Sequence, residues 1–412
     1  MSFSIPSYSD LVLEQLEIIN LPTNRDWVIQ GGPGTGKTVM AIFRAQQVSK
    51  YKKTIILVYN RPLKLFLEKA VQGTKCEVKT YHEWLADIYY ECFGRKSFPH
   101  ISQYEPDYAQ IEQDLRNVSA RFDHTIIDEA QDCPIELVRT VKRLSKNITC
   151  FVDPNQEILK NKTNSTQLIK TICVEAPYAL TRNFRNTKQI RDASAVFCQD
   201  GVPARAFIPG NKPAMVRCAD YDDQTDYICQ FCMNNRESTI GIIVNSINLR
   251  RTYDELYERL SSVMPVQMYK TLVNAEFDFS RTGVQIFSYG TMKGLEFDYV
   301  ILPRIDCVHR TDDEKKNFNQ LYVATSRPRK DLKIVYFSEH CGSKWIDVFS
   351  KIKPKKDLFV WEEYKCCQNF IYILTTIVFV TVIHQTCLRV KRICQIKKVP
   401  KRWGVIRKTS FF

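Results

Sequence analysis

The sequence predicts an α/β protein with two domains, each built on a parallel sheet, followed by a basic tail that contains an apolar segment. Two observations lead to this prediction. Short β-branched strands alternate with helical segments twice over, and a glycine-rich turn joins the first strand to a helix. A chain of 412 residues is long enough for two or three domains with cores of their own. We place the boundaries at 1–175, 176–350 and 351–412, the last range being the tail.

The glycine-rich turn fits the phosphate-binding loop pattern, in which a Gly and four further residues precede Gly-Lys-Thr. A strand is predicted before it at Trp27–Ile29, and apolar positions at helical spacing follow from Val39. Glycines let backbone N–H groups approach a phosphate chain, since a Cβ would hold the backbone away. Lys37 would reach the β- and γ-phosphates, and the Thr38 hydroxyl would hold Mg²⁺. The candidate residues of this loop are Gly31, Gly32, Gly34, Thr35, Gly36, Lys37 and Thr38.

A second motif ends a β-branched strand, Thr125–Ile127, in two adjacent carboxylates. In α/β sheets, ligands bind at the carboxyl ends of the strands, where Asp128 and Glu129 would lie. Asp128 could complete the Mg²⁺ shell, and Glu129 could polarise a water for attack on the γ-phosphate. Another strand, 147–152, ends at the same edge in the sequence Asp-Pro-Asn-Gln, whose last residue is Gln156.

The positive charge of the chain is concentrated at its carboxyl end. The whole sequence carries 59 Lys and Arg against 45 Asp and Glu, a formal net charge of +14. From Lys351 onward fourteen basic residues accompany three acidic ones, so the tail holds +11 and residues 1–350 only about +3. A nucleic-acid groove in the body must therefore be a local patch rather than a field of the whole molecule.

The cysteines argue for a reducing compartment, cytoplasm or nucleus. They number fifteen, an odd count, and are scattered mostly inside apolar runs, which speaks against a disulfide framework. Cys229 and Cys232 form the only pair with Cys-x-x-Cys spacing. Without a second such pair or a His pair, a helix face is favoured there over a metal site.

An apolar run at 370–383 interrupts the basic tail. Its fourteen residues are short for a membrane span, which needs about 20, and extending it to Leu388 takes in His384 and Gln385. A membrane span, an interfacial or partner-bound segment, and a disordered or core-packed tail remain open for 370–388. The basic run that follows fits nucleic acid, an anionic membrane or a nuclear import receptor equally.

The phosphate-binding loop, the Asp-Glu-Ala-Gln-Asp box and a Lys-Gly-Leu-Glu-Phe-Asp box at 293–298 occur in this order. In that order they resemble superfamily 1A helicases of the UvrD/Rep/PcrA type. The resemblance extends from about Asp10 to Phe337, some four-fifths of the chain. It implies two RecA-like P-loop domains that bind ATP and Mg²⁺ between them.

The resemblance also implies which residues contact the nucleoside. Gln15 looks like the glutamine of the family that reads adenine. Phe184 occupies the position of the aromatic residue that stacks on the base. Gly294 and Glu296 match the motif whose glutamate meets the ribose.

For catalysis, the resemblance adds three residues to Lys37 and Glu129. Gln156 is similar to the γ-phosphate sensor that follows a strand in the family. Arg185 holds the position of a γ-phosphate arginine. Arg327 matches the arginine finger supplied by the second domain, which would neutralise charge on the departing phosphoryl group.

Two further segments resemble the family's single-strand contacts. Asn60 and Arg61 look like the first such motif, and Thr80, Tyr81 and His82 look like the second.

By this resemblance we expect an ATP-driven translocase or helicase on single-stranded DNA, with 3′→5′ polarity and ATP and Mg²⁺ as cofactors. Between Thr80 and Asp128, and between Arg185 and Val284, the sequence leaves little room for the large accessory domains of processive relatives. This leaves open a nucleotide-switched binding module that hydrolyses slowly and never unwinds. A motor that acts on RNA is a further alternative.

Overall fold

The computed structural model describes residues 5–365, except 60, 103–104, 154–164, 173, 175, 200–202, 245–249, 269–281, 293 and 341. The elements below lie in one compact unit, residues 1–364. The predicted site residues Asn60 and Gln156 and the predicted contact segment 370–388 lie outside the described residues.

The amino-terminal half is built around a parallel sheet. Its strands are β1 (Trp27–Gly31), β2 (Thr54–Val58), β3 (Glu77–Thr80), β4 (His100–Ser102), β5 (Glu105–Pro106), β6 (Phe122–Ile127), β7 (Ser145–Val152) and β8 (Tyr178–Leu180). The sheet has the order β3-β2-β6-β7-β1-β8, and β4 and β5 form a separate antiparallel pair. Because successive residues of a strand face opposite sides, Ile55 and Leu57 join one core cluster while Ile56 and Val58 join another. Burial on both faces explains the continuous apolar runs.

Helices cover both faces of this sheet. They are α1 (Leu13–Ile19), α2 (Lys37–Val48), α3 (Arg61–Ala70), α4 (Tyr81–Phe93), α5 (Tyr108–Asp114), α6 (Ile135–Leu144) and α7 (Ser165–Ile172). The first three contribute to the core that contains Ile56, and the other four to the core that contains Ile55. We call the sheet and its helices the first lobe.

The carboxyl-terminal half repeats the plan. Its strands are β9 (Arg182–Thr187), β10 (Arg205–Ile208), β11 (Ala214–Arg217), β12 (Thr239–Val244), β13 (Val266–Met268), β14 (Gly283–Ser288), β15 (Phe297–Leu302), β16 (Pro328–Tyr336) and β17 (Val360–Glu363). A parallel sheet runs β13-β14-β12-β15-β16-β11-β17, and β9 and β10 form a separate parallel ribbon. The helices are α8 (Lys188–Ser194), α9 (Tyr221–Asn234), α10 (Arg250–Ser261), α11 (Glu314–Thr325) and α12 (Phe349–Ile352). We call these elements the second lobe.

The two parallel sheets confirm the predicted α/β fold class. The strand β8, beyond the predicted boundary at 175, pairs with β1 of the first sheet, and β17, beyond 350, pairs with β11 of the second. The exact domain boundaries remain a prediction.

Cys229 and Cys232 lie buried on α9, and every cysteine that the structure describes is a free thiol. Within the described part of the chain, none of the helices has the length and apolar character that crossing a membrane requires.

Candidate nucleotide-binding site

The phosphate-binding loop lies between β1 and α2, as the sequence predicts. Gly34 and Gly36 both have positive φ, 73° and 86°, a conformation that glycine adopts without strain. A Cβ at Gly34 would collide with Oδ1 of Asn183, and one at Gly36 would lie 2.8 Å from Nε2 of Gln15. The loop therefore needs glycine at these positions both for its curvature and for its close neighbours.

Lys37, the first residue of α2, turns its ammonium group back over the loop. Nζ donates to the carbonyl oxygens of Gly31 at 2.9 Å and Gly32 at 3.1 Å, and it lies 3.5 Å from Oδ2 of Asp153. Thr35 Oγ1 also donates to the Gly32 carbonyl, at 2.9 Å. The lysine side chain is buried, so its charge is held at the concave side of the loop, where phosphate oxygens could take the place of the carbonyls.

Two carboxylates follow β6 and have different environments. Asp128 is fully buried and accepts a hydrogen bond of 2.8 Å from Thr38 Oγ1. Burial and the neighbouring charge of Glu129 raise the pKa of Asp128 to about 7, although Thr38 and Lys37 act in the opposite direction. The Glu129 carboxylate accepts from Nε2 of Gln131 at 2.5 Å. The same Gln131 accepts from the backbone N–H at 153, which links the tips of β6 and β7.

The Thr38 hydroxyl and the Asp128 carboxylate fit a Mg²⁺ ion. Among the described residues, no group of three or more His, Cys, Asp or Glu side chains could hold a metal ion. Mg²⁺ in phosphoryl-transfer sites is usually held by one or two protein oxygens together with phosphate oxygens. Burial disfavours the charged form of the Asp128 carboxylate and raises its pKa, and a divalent cation bound there would favour the charged form.

Arg327 follows α11 and points into the same region from the second lobe. Its guanidinium is buried, donating from Nε to the Val323 carbonyl at 3.0 Å and from Nη1 to the Leu295 carbonyl at 3.2 Å. Burial and the nearby charge of Arg185 lower the pKa of Arg327 to about 10, while the charge of Glu129 raises it. Arg327 therefore remains a cation at neutral pH and interacts with carboxylates of the first lobe.

A group of charged residues on β9, β15 and β16 continues this surface. Arg185 Nε donates to Oε2 of Glu296 at 2.5 Å. Arg329 lies farther from its acidic partners, with Nη1 3.8 Å from Glu296 and Nη2 3.6 Å from Asp298. Glu296 thus faces two arginines.

These residues meet at one cleft with a cavity volume of about 270 Å³. Residues of both lobes line it, so the structure brings together the predicted loop, the predicted base and both predicted arginines. The lining residues are Pro6, Gln15, Pro33, Gly34, Gly36, Lys37, Thr38, Val39, Glu129, Phe184, Arg185, Gly294, Glu296, Arg327 and Arg329.

The residues predicted to contact the nucleoside also lie at this cleft. Gln15 is buried, and its Oε1 accepts from the Val12 N–H at 3.2 Å. Phe184 is 38% exposed and lines the cleft. Gly294 has φ of 80°, and a Cβ there would lie 3.4 Å from Leu63 of the first lobe.

Four of the predicted single-strand contacts lie in the described part of the chain, and none of the four is part of the cleft lining. Arg61 and His82 are exposed, whereas Thr80 and Tyr81 are buried. Thr80 caps α4, and the Tyr81 hydroxyl accepts from Sγ of Cys133 at 2.9 Å. A nucleic-acid role for these residues stays a prediction.

Arg329 and Gln131 are polar residues of the site that were not among the predicted site residues. Arg329 lines the cleft, and Gln131 holds Glu129. The sequence contains signals for both, because Arg329 follows Arg327 in a short basic run and Gln131 belongs to the acidic box.

Comparison with known proteins agrees with a helicase. The profile of the "Schlafen group 3, DNA/RNA helicase domain" matches residues 25–260, more than half of the chain. No curated protein matches the sequence.

Three solved structures illustrate the matches that a structural comparison finds. Saccharomyces cerevisiae Dbp5 bound to RNA and ADP BeF₃ is 14% identical, with a TM-score of 0.50 over 89% of this chain and 97% of that one. The C-terminal domain of a possible DNA helicase from Lactobacillus plantarum is 21% identical, with a TM-score of 0.31 over 43% and 97%. The helicase of the virus PRRSV is 15% identical, with a TM-score of 0.39 over 78% and 54%. Of these three, the Dbp5 superposition supports a shared fold.

The profile match confirms the helicase part of the predicted resemblance, while the narrower superfamily 1A assignment stays a prediction. A profile match over residues 25–260 covers β1, the phosphate-binding loop and the acidic box together. The chain therefore belongs to the Schlafen group 3 DNA/RNA helicase domain family.

Proposed function

We propose that this chain is a nucleic-acid motor of the superfamily 1A type, which hydrolyses ATP with Mg²⁺ and moves along single-stranded DNA in the 3′→5′ direction. The observation that carries the ATPase proposal is the shared cleft. Lys37, Thr38 and Glu129 of the first lobe line it together with Arg185 and Arg327 of the second. The choice of DNA and the polarity rest on the motif resemblance.

Each side chain has a defined task in this proposal. The loop and Lys37 bind the β- and γ-phosphates, and Thr38 and Asp128 would hold Mg²⁺, which neutralises charge on the phosphate oxygens. Glu129, fixed by Gln131, orients the attacking water. Arg327 stabilises charge that develops on the transferred group, a contribution of ~10³–10⁵ in rate for arginine fingers.

Movement follows from the division of these tasks between lobes. Lys37 begins α2 and Glu129 follows β6 in the first lobe, whereas Arg327 follows α11 in the second lobe. The full set of charges reaches the phosphates only when the lobes are correctly placed. ATP binding and hydrolysis therefore favour different lobe arrangements, and a strand held by both lobes is displaced in each cycle.

A nucleotide-switched binding module is the second candidate. Between α4 and β6 the described residues hold only the short α5 and the β4–β5 pair, a small insertion for a strand-separating enzyme. Such a module would use the same cleft but hydrolyse slowly and leave duplexes intact.

We test the proposal with Glu129→Gln, which keeps the size of the side chain and removes its carboxylate. We expect nucleic-acid-stimulated ATP hydrolysis to fall at least about 10³-fold, while binding of a single strand stays within about threefold. The exposed Glu237→Gln is the matched control and should hydrolyse ATP at the wild-type rate. Wild-type hydrolysis by Glu129→Gln would rule out the assigned site.

The substrate and the second candidate are tested on the wild-type protein. Single-stranded DNA and RNA of equal length and sequence are compared as activators of hydrolysis, and partial duplexes with either overhang are compared in strand displacement. The proposal expects stronger activation by DNA and displacement from a 3′ overhang. Activation of hydrolysis without strand displacement from either overhang would favour the nucleotide-switched binding module. Stronger activation by RNA than by DNA would indicate that the motor acts on RNA.

A further inference from the structure

A turn in β9 fastens the second-lobe ribbon to the phosphate-binding loop. The backbone N–H of Phe184 donates to the Gly34 carbonyl at 2.8 Å. Asn183 Oδ1 accepts from the N–H groups of Arg185 and Asn186, each at 3.0 Å, so its side chain fixes the shape of the turn. A Cβ at Gly34 would collide with this same oxygen. The turn can therefore approach the loop only because the loop has glycine there.

The Asn186 side chain, also in this turn, is hydrogen-bonded to the backbone on both sides of Arg327. Asn186 Nδ2 donates to the Ser326 carbonyl at 3.0 Å and to the Pro328 carbonyl at 2.6 Å. The carbonyl of Arg327 itself accepts from the Phe297 N–H at 3.2 Å. Three consecutive carbonyls around the arginine are thus hydrogen-bonded. Asn186 is 1% exposed, so water does not compete for these bonds.

The Asn186 amide oxygen completes the connection. It accepts from Nδ2 of Asn183 at 2.8 Å. A continuous series of hydrogen bonds therefore runs from the carbonyl of Gly34 through the turn to the peptide groups that carry Arg327. Arg185, the other predicted phosphate arginine, lies within the same turn.

We propose that Asn186 is a positioning residue for Arg327, which fixes the arginine relative to the phosphate-binding loop. This inference rests on the proposed function, in which Arg327 acts on the transferred phosphoryl group. Asn186 itself does not line the cleft. Its effect is transmitted by the two carbonyls that it holds, and a displacement of about 1 Å in a catalytic group can cost about 10²-fold in rate.

Asn186→Asp is the most informative variant. The side chain keeps its shape and can still accept from Asn183, but it loses both N–H donors and places a carboxylate beside the carbonyls of Ser326 and Pro328. These two carbonyls then lose the hydrogen bonds that Asn186 donates, in a buried region. Asn186→Ala, which removes the donors without adding charge, is the second variant and serves if the aspartate protein does not fold.

The experiment measures single-turnover ATP hydrolysis on saturating single-stranded DNA, with ATP affinity and thermal stability alongside. Asn186→Asp should slow hydrolysis at least about tenfold while ATP affinity stays within about threefold. In the Arg327→Ala background, Asn186→Asp should cause no further loss, because its effect passes through the arginine. Asn317→Ala is the control. It removes another buried asparagine of the second lobe, which bonds to Thr311 and should leave the rate within twofold.

Two results would overturn the positioning role. One is hydrolysis by both Asn186 variants within twofold of wild type. The other is a double variant in which Asn186→Asp slows hydrolysis by the same factor as it does in the protein with Arg327 intact. Such independent effects would indicate general damage to the lobe. If Arg327→Ala alone hydrolyses at the wild-type rate, the finger of the proposed function fails, and the positioning role fails with it.

Discussion

Glu129 has a left-handed backbone conformation, with φ of 55°, which only Arg304 shares among the non-glycine residues that the structure describes. Such a conformation costs about 1–3 kcal/mol and persists only where contacts hold it. Here the Glu129 N–H donates to Oδ1 of Asp128, and Gln131 holds the carboxylate. The turn lets two adjacent acids take different directions, Asp128 toward Thr38 and Glu129 into the cleft.

The Thr38–Asp128 pair leads to a prediction about Mg²⁺. Thr38→Ala removes one of the two protein oxygens assigned to the ion, so we expect the Mg²⁺ concentration for half-maximal hydrolysis to rise about tenfold or more. Thr38→Ser keeps the hydroxyl and should stay within about threefold of wild type. The measurement is ATPase rate against Mg²⁺ at fixed ATP. A Thr38→Ala protein with wild-type Mg²⁺ dependence would contradict the assignment.

At this scale the sequence predicts residues that belong to local motifs and misses those that depend on distant contacts. Lys37 and Thr38 are defined by a spacing of a few residues. The hydrogen bond between Asn186 and the Ser326 carbonyl joins positions that are 140 residues apart, and no local pattern in either segment predicts the contact. The pairing of Arg185 with Glu296, 111 positions apart, is hidden for the same reason.

At the scale of elements, β-branched runs predict the central strands well. The strands β2, β6 and β12 lie where such runs occur, since buried parallel strands are apolar on both faces. Sheet order is not predictable in the same way, because an apolar run does not specify its neighbour. The ribbon strand β9 illustrates the limit, since Arg182–Thr187 is polar and pairs with a strand about twenty residues away.

His124 on β6 gives a pH prediction for this element. Burial and the charges of Arg44 and Lys52 lower the pKa of His124 to about 3, against 6.5 for an ordinary histidine. The unfolded chain therefore binds a proton below pH 6.5 that the folded protein does not bind until about pH 3, so stability falls as the pH falls through this range. At pH 5 the loss is about 2 kcal/mol, from 1.36 kcal/mol per pH unit.

Hydrogen exchange of the β6 and β7 amides measures this effect locally, as the free energy of opening at pH 7.5 and pH 5.0. His124→Gln can preserve the contact that Nε2 makes with Thr149 and cannot take up the proton. Between pH 7.5 and pH 5.0, the free energy of opening should fall by about 2 kcal/mol more in the wild-type protein than in the variant. An equal loss in both proteins would show that His124 does not titrate in this way.

At the scale of the whole molecule, the position of the cleft between two sheets matters more than any single contact. The glycine-rich loop and Arg327 are almost three hundred positions apart, yet both line one cavity. The sequence predicts two α/β units by their alternating elements, and the motif resemblance predicts that they share a nucleotide. How the lobes move between nucleotide states follows from neither, because it depends on the balance of contacts across the cleft.

The shared cleft predicts thermodynamic coupling between nucleotide and strand. If ATP favours the lobe arrangement that grips a strand, ADP with beryllium fluoride should raise the affinity for a fluorescent single strand, and the strand should raise nucleotide affinity by the same factor. We expect each ligand to raise the affinity for the other about tenfold, which corresponds to a coupling free energy of about 1.4 kcal/mol. Arg327→Ala removes the second-lobe contact to the phosphate, so its coupling factor should approach one while strand affinity without nucleotide stays at the wild-type value.

Anisotropy titrations with and without the nucleotide measure this factor for DNA and for RNA. The exposed Arg236→Ala removes the same charge away from the cleft and should retain the coupling. A coupling factor near one in the wild-type protein would separate hydrolysis from strand binding and contradict a motor. A wild-type coupling factor in Arg327→Ala would instead show that other contacts between the lobes couple nucleotide binding to strand binding. The hydrogen bond between the Phe184 N–H and the Gly34 carbonyl is a direct contact of this kind.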